Sequence, residues 1–482
     1  MSDLVETLRT QFSSIFHDNT TVIIRAVAHD TAVCYLPELI NIEQLNKFVL
    51  TPLQQVHWVP TSEQLKRYVM VGEVRTMESI ADAIPLMMKG WVYVATPHTG
   101  VVVNIANIPN RQIGSPQNET TILGPMLAFN ESLETNTALL RSSIPNTALH
   151  KEAFKIGNKR NTSVHLMYMT DQVEESCANI VRQRIQQLYS NDITGSSELM
   201  HLIQDNDSSI FPQMILTERV DLASHSLLEG KIVILVDGSP LVIIGPSEFT
   251  DFFLTTEDRY MGWGIGTFLR ILRMLALLIS VYLTPAYVAA LTFHYEIIPS
   301  SLLVSLIESR SRVPFPPLFE TLILELTMEL LREAGARLPT KVGQTMGIVG
   351  GIVIGQAAVQ AGFTSNILIM LVALAALGSF ATPNYLMSST LRLIRYPMVI
   401  FAGLWGSIGI VFFSVLATIH LIRQTSLGQP YFYPIHPSHK SSTLDQDVLM
   451  PELKGLTSTG HRIRKYAKSF RLSSLWTGKI DN

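Results

Sequence analysis

Little in this sequence supports a disulfide-stapled, metal-bound or nucleic-acid-binding protein. Only two of the 482 residues are cysteine, Cys34 and Cys177; far apart and without paired spacing, they form neither a disulfide framework nor a zinc site and read as reduced, buried thiols. Charge is scarce as well, at 16% of residues against roughly 25% in an ordinary soluble protein. The net charge of -3 and a pI near 6.5 exclude a nucleic-acid binder, which needs a clustered basic surface to neutralise phosphates. No Walker motif, dinucleotide fingerprint, HExxH or GxSxG elbow is present, so the chain is read as a non-enzyme without cofactors or metals. His294 and His420 are isolated at the edges of apolar runs and lack ligand companions. Asp237 with Gly238 is explained by a hairpin turn. The first ten residues carry Asp3, Glu6 and Arg9 and no apolar core of signal-peptide length. The first 250 residues are therefore expected to stay on the side where they are made.

What is abundant is apolar sequence. Hydrophobic residues make up 47% of the chain and the mean hydropathy is +0.26, which points to lipid. The expected fold is an α/β cytoplasmic N-terminal region of two subdomains followed by an all-α polytopic membrane domain. Residues 1–120 mix short apolar runs, such as TVIIRAVA from Thr21 and WVYVAT from Trp91, with helical stretches, the signature of an α/β subdomain. The connector Asn104 to Thr121 is rich in Asn, Pro, Gly, Gln and Ser. Residues 121–258 form a second α/β subdomain, with a helix at 136–142, a strand at 163–169, a helix at 173–189 and a buried hairpin of Lys231 to Val236 and Leu241 to Ile244 about a Gly/Pro turn.

Residues 259–434 are read as the membrane domain and 435–482 as a flexible basic tail. A bilayer core of about 30 Å needs about 20 helical residues per crossing. Four stretches are candidates: 268–291, 342–361, 364–382 and 396–421. Ile297 to Ile307 is too short to cross alone. Arg270 and Arg273, and a tail from Arg423 with nine Lys/Arg against four Asp/Glu, favour cytoplasmic ends. Four crossings satisfy both ends, yet they leave Arg310, Arg312, Arg332, Arg337, Lys341, Arg392 and Arg395 on the outer side, against the same rule. The span count stays open.

Two local patterns carry the functional reading. Gly343, Gly347, Gly351 and Gly355 recur every four residues in one apolar helix, a helix-packing face on which another backbone can approach closely. The opposite stripe is Thr345, Val349, Ile352, Gln356 and Val359. It faces lipid or another helix, or, in an oligomer, lines a pore closed by dewetting. The second pattern is an amphipathic helix at 318–335, started after Pro314, Pro316 and Pro317. Glu325, Glu329 and Glu333 share one face of it, and Leu322, Ile323, Leu326 and Leu330 another. The acids are either salt-bridged at a membrane interface or a cation-attracting ring at a pore mouth.

The run VPFPPLFETLILELTMELLREAGARLP from Val313, followed by GQTMGIVGGIVIGQAAVQA from Gly343, resembles the A subunit of the GerA family of endospore nutrient germinant receptors. The resemblance extends over 124–434 and includes Gly124, Pro125, Phe129, Glu131, Thr135, Asn136, Arg141, the SIFPQ stretch from Ser209, Thr217, Glu218, Arg219, and His420, Leu421, Arg423, Ser426, Gly428, Pro430 and Tyr431. Val220, Leu123 and Met126 depart from the family pattern. The resemblance implies a multi-pass subunit of the spore inner membrane with its N-terminal region cytoplasmic. It also implies work beside a B subunit (a transporter-like, nutrient-binding membrane protein) and a C subunit (a lipoprotein). A homo-oligomeric, ligand-gated channel for monovalent cations is the implied activity, with a non-conducting scaffold as the rival reading.

Overall fold

In a computed structural model of the chain, residues 2–16, 22–28, 30–56, 58–97, 99–107, 116, 119, 123–188, 192–337, 353 and 355–433 are described. The apolar runs near the N-terminus become strands. They are β1 (Ile23–Ala28), β2 (Thr31–Tyr35), β3 (Val74–Met77), β4 (Trp91–Ala95) and β5 (Gly100–Asn104), in an antiparallel sheet of order β1-β2-β4-β5-β3. The three central ones, β2, β4 and β5, are buried on both faces. Side chains alternate across a strand. Ala32, Cys34, Trp91, Tyr93 and Val102 therefore meet α1 (Ser2–Ile15) and α3 (Ile80–Met87) on one face. Val33, Tyr35, Val92, Val94, Val101 and Val103 meet the helical stretch around Leu45 to Leu53, and Leu65 of α2 (Ser62–Tyr68), on the other. Coverage of both faces explains why these strands read as unbroken apolar runs. Thr61 and Gln64 close a capping box on α2, and the Ser79 hydroxyl accepts from the Asp82 amide at the start of α3.

The second subdomain repeats the plan. Its antiparallel sheet runs β6 (Leu149–Ile156), β7 (Thr162–Met169), β9 (Ile232–Val236), β10 (Val242–Gly245), β8 (Ile215–Thr217). The helices are α4 (Leu133–Ser143), α5 (Glu175–Gln187), α6 (Ser196–Ile203) and α7 (Val220–Leu228). The hairpin expected about the Asp237 to Pro240 turn is β9 and β10, with Ile234 opposite Ile243 and Gly238 at φ +77°. Helix α4 starts at Leu133, three residues before the stretch read from the sequence, and the side chain of its cap Ser132 accepts from the Thr135 amide. Glu38 of the first subdomain is held by Arg141 at 2.8 Å and by Lys151, both of the second. The Glu38 and Arg141 side chains are at most 1% exposed.

The chain divides into two units, Met1–Phe249 with His420–Tyr431, and Thr250–Ile419 with Phe432–Asn482. Residues 420–431, read from the sequence as the exit of the membrane domain, thus belong to the unit that holds the sheets. There β11 (Thr425–Ser426) and β12 (Gln429–Pro430) form a small hairpin whose turn uses Leu427 and Gly428 at positive φ.

The second unit is helical: α8 (Trp263–Thr292), α9 (Ser300–Arg310), α10 (Pro317–Arg337), α11 (Asn366–Phe380) and the element α12 (Tyr385–Arg423). Among the described residues α8 and α12 are long and apolar enough to cross a membrane; α11 is apolar but has 15 residues. Gly406 sits at φ +63°, ψ −141° and breaks α12 within the stretch 396–421 expected as one crossing. In a continuous helix Phe401 and Phe413 would lie about 18 Å apart. Their ring centroids are 5.5 Å apart, and Phe401 also meets Phe412 at 5.8 Å. The element is therefore a helical hairpin, with arms 385–405 and 407–423. The Ser407 amide donates to His294 Nε2 at 3.3 Å at the break.

Candidate functional site

Helix α10 has the reverse polarity of a water-soluble helix. Glu320 and Glu325 are 2% and 6% exposed, whereas Phe319, Ile323, Leu326 and Leu330 are 50–62% exposed. These two acids turn into the unit and these four large apolar side chains turn out. A buried carboxylate is costly unless paired and hydrogen-bonded, and each acid of this stripe has an arginine.

Glu320 Oε1 accepts from the Ser365 amide at 2.6 Å and the Thr364 hydroxyl at 3.1 Å, while Arg310 stands 3.5 Å from Oε2. Ser365 in turn caps α11, its hydroxyl accepting from the Leu368 amide. Tyr287 of α8 lies 3.2 Å from the same hydroxyl. Five residues along α10, Arg395 of α12 donates through one Nη1 to both oxygens of Glu325 at 3.0 and 2.9 Å. The Tyr396 hydroxyl donates to the Glu325 carbonyl at 3.3 Å. Glu329 pairs with Arg332 at 3.1 Å and Arg392 at 3.4 Å. Arg392 also donates to the Ser388 and Ser389 hydroxyls, each at 2.9 Å, and the Arg332 guanidinium lies 4.6 Å from the Phe380 ring centre. Glu333 pairs with Arg337 at 2.5 Å near the end of the helix, where both are more than half exposed. The stripe therefore grades from buried at Glu320 and Glu325 to solvent-accessible at Glu333.

Of the residues singled out in the sequence, Glu325, Glu329 and Glu333 are brought onto one ion-paired stripe. Gln356 and Val359 lie in the helical residues 355–360. Thr345, Val349, Ile352, Gly343, Gly347 and Gly351 fall outside the described residues. Gly355 is described, and a Cβ there would meet nothing within 4 Å. Arg392 and Arg395 were missed as partners. Their signal was available: two arginines one turn apart on an apolar helix call for two acids at matching pitch, and Glu325 with Glu329 supply them.

Where the chain enters the helical unit, Asp258 is fully buried between two arginines. Arg273 donates at 2.6 and 2.8 Å and Arg270 at 3.2 Å; Arg273 also donates to the Phe253 carbonyl. Burial pushes the Asp258 carboxyl up, but the hydrogen bonds and charges of Arg273 and Arg270 outweigh it and hold it below the ordinary carboxylate value.

Residues 10–454 match the family described as the Bacillus/Clostridium GerA spore germination protein. Spore germination protein GerQA of Bacillus cereus is 41% identical over 462 residues, covering 94% of this chain and 90% of that protein. Spore germination protein GerIA of the same organism is 41% identical over 441 residues, covering 90% of this chain and 66% of that protein. A crystal structure of the N-terminal domain of the A subunit of the Bacillus megaterium spore germinant receptor GerK3 is 24% identical, covers 50% of this chain and 93% of its own, and has a TM-score of 0.36. With a family match over most of its length and relatives this similar, the chain belongs to the Bacillus/Clostridium GerA spore germination protein family.

Proposed function

We propose that this chain is the A subunit of a spore germinant receptor, embedded in the spore inner membrane, and that it assembles into a homo-oligomeric channel passing monovalent cations. The observation that carries the membrane part of this reading is the reversed polarity of α10, with acids paired inside and Phe319, Ile323, Leu326 and Leu330 turned outward. Such a helix is stable against lipid or against another subunit, not against water.

Helix directions support more crossings than four. Tyr287 meets Ser365, and Gly378 abuts Ala276 and Ser280, so α8 and α11 are antiparallel. Glu320 meets Ser365 and Arg332 meets Ser379, so α10 and α11 run the same way. Gly403 abuts Leu318 while Arg395 meets Glu325, so the first arm of α12 runs against α10. Tyr282 meets Ser414 and His294 meets Ser407, so the second arm runs against α8. That α10 and α11 point the same way supports a return of the chain between them. That return is our assignment for the glycine-bearing stretch 342–361. Six passages then leave both ends on one side, with Arg332, Arg337, Arg392 and Arg395 toward that side. The reading removes most of the conflict with the positive-inside rule.

In this reading the Gly343, Gly347, Gly351 and Gly355 face packs between copies, and Val349, Ile352 and Gln356, with Thr345 and Val359, line the axial gate. Glu333 and Glu329 lie toward the mouth. A transporter-like B subunit supplies the nutrient site and a lipoprotein C subunit completes the receptor. Replacing Ile352 by alanine is expected to produce ion leak or germination without nutrient. Normal receptor levels with unchanged leak and unchanged nutrient response would reject the gate assignment.

One observation favours a second reading, a non-conducting scaffold that relays nutrient binding to other proteins. All four acids of α10 are already neutralised by arginines, which weakens any cation-attracting ring. Purified oligomers in a planar bilayer separate the two, since the channel passes current and the scaffold passes none.

A further inference from the structure

The chain leaves the sheet-bearing unit after Phe249 and re-enters it at His420, and both points converge on one side chain. The Phe211 ring stacks on His420 with centroids 5.8 Å apart and meets Phe249 edge-on at 6.5 Å. Phe249 is itself tied to Tyr431, ring to ring at 6.3 Å and through its amide, which donates to the Tyr431 carbonyl at 2.8 Å.

The loop that carries Phe211 grips the returning segment along its length. Asp205 Oδ2 accepts from the Thr425 hydroxyl at 2.5 Å and the Gly428 amide at 2.9 Å. The Ser209 hydroxyl donates to Gln424 Oε1 at 2.7 Å and lies 3.1 Å from His420 Nε2. Gln424 Nε2 donates to the Phe211 carbonyl at 3.2 Å, and the Tyr431 hydroxyl donates to the Pro212 carbonyl at 2.7 Å. The Ser426 hydroxyl donates to the Gln213 carbonyl and accepts from the Ser247 amide at 3.0 Å. Gln424, Ser426 and Tyr431 are at most 3% exposed. Breaking one of these bonds strands a buried polar group, at about 1–3 kcal/mol each. Loop and segment therefore move together or not at all.

We infer that the loop 205–213, centred on Phe211, is the joint that transmits rearrangements of the sheet-bearing unit into the second arm of α12. The arm 407–423 runs without interruption into the gripped segment, so a shift of the loop is delivered to that helix. For germination the inference rests on the receptor reading, but the joint itself is a mechanical property of this chain.

The test uses the full chain in lipid nanodiscs with a spin label at Thr418→Cys, an exposed position on the arm; both native cysteines are buried. In Phe211→Ala the label is expected to loosen by roughly twofold in rotational correlation time, a change on the nanosecond scale that spin labels read. Leu202→Ala, an exposed position outside the loop, should leave it unchanged. Should Phe211→Ala fail to fold, Tyr431→Phe keeps the ring against Phe249 and removes only the donor to Pro212, and the same loosening in smaller measure is expected. Unchanged label motion in a folded Phe211→Ala or Tyr431→Phe chain overturns the joint. Germination of spores carrying the same variants is scored separately. Loosening with normal germination leaves the joint standing and counts against the receptor reading.

Discussion

Removing one partner of the Glu325 and Arg395 pair gives the sharpest test of what holds the helical unit together. The two side chains are 7% and 4% exposed, and one nitrogen serves both carboxylate oxygens. Truncating one member of such a pair leaves the other charge buried without compensation, at about 3–5 kcal/mol. Glu325→Leu and Arg395→Met are each expected to destabilise α10 against α12 by that amount, which at 1.4 kcal/mol per decade is roughly a hundredfold to a few thousandfold in the folding equilibrium. Among the described residues Arg395 Nε has no hydrogen-bond partner, so the pair is not fully satisfied. Desolvation therefore offsets much of its attraction. The double variant Glu325→Leu with Arg395→Met, which removes both charges, is expected to lie near wild type or up to about 1–4 kcal/mol above it. Unfolding of the full chain in detergent, followed by far-UV circular dichroism, measures all four corners of the cycle. Single variants within about 0.5 kcal/mol of wild type, the range of an ordinary surface substitution, would refute the argument.

Three further outcomes are expected. Gly378→Ala puts a Cβ 2.5 Å from the Ala276 carbonyl oxygen, so α8 and α11 must separate, and a loss of about 1–3 kcal/mol should appear in the same unfolding assay. Glu38→Gln removes the acid shared by buried Arg141 and by Lys151; about 3–5 kcal/mol and faster proteolysis between the two sheets are expected. His165 is held neutral, first by burial and then by the charge of Lys151, with its pKa pushed down to about 4. The Thr137 hydroxyl donates to the Leu133 carbonyl, so its oxygen accepts from His165 Nδ1, 2.9 Å away. Because the unfolded chain takes up the proton first, this contribution is complete above pH 6.5 and is lost as pH falls toward 4. The loss is up to about 3 kcal/mol at 1.36 kcal/mol per pKa unit. A melting profile flat between pH 7 and pH 4 in the sheet-bearing unit would contradict it.

The α/β character of the first half, the hairpin about Asp237 to Pro240 and the long apolar helix from Phe268 were legible in the sequence. Each is set by local period, turn chemistry and run length, which depend on near neighbours. The acid stripe was legible too, but not which way it faces. Amphipathicity defines two faces of α10 without saying which is inside. The answer came from Arg310 and from Arg392 and Arg395, the last two distant in sequence, which bring their charges to the acids and so leave Phe319, Ile323, Leu326 and Leu330 outward. The break at Gly406 was hidden for a related reason. Glycine permits positive φ without requiring it, and only the packing of Phe401 on Phe412 and Phe413, with His294 taking the freed Ser407 amide, makes the reversal favourable. The capture of 420–431 by the loop around Phe211 was beyond reach of composition, since it rests on hydrogen bonds between residues more than two hundred positions apart. Local pattern determined which segments are strands and helices; long-range charge pairing and desolvation decided how those segments face, fold back and connect.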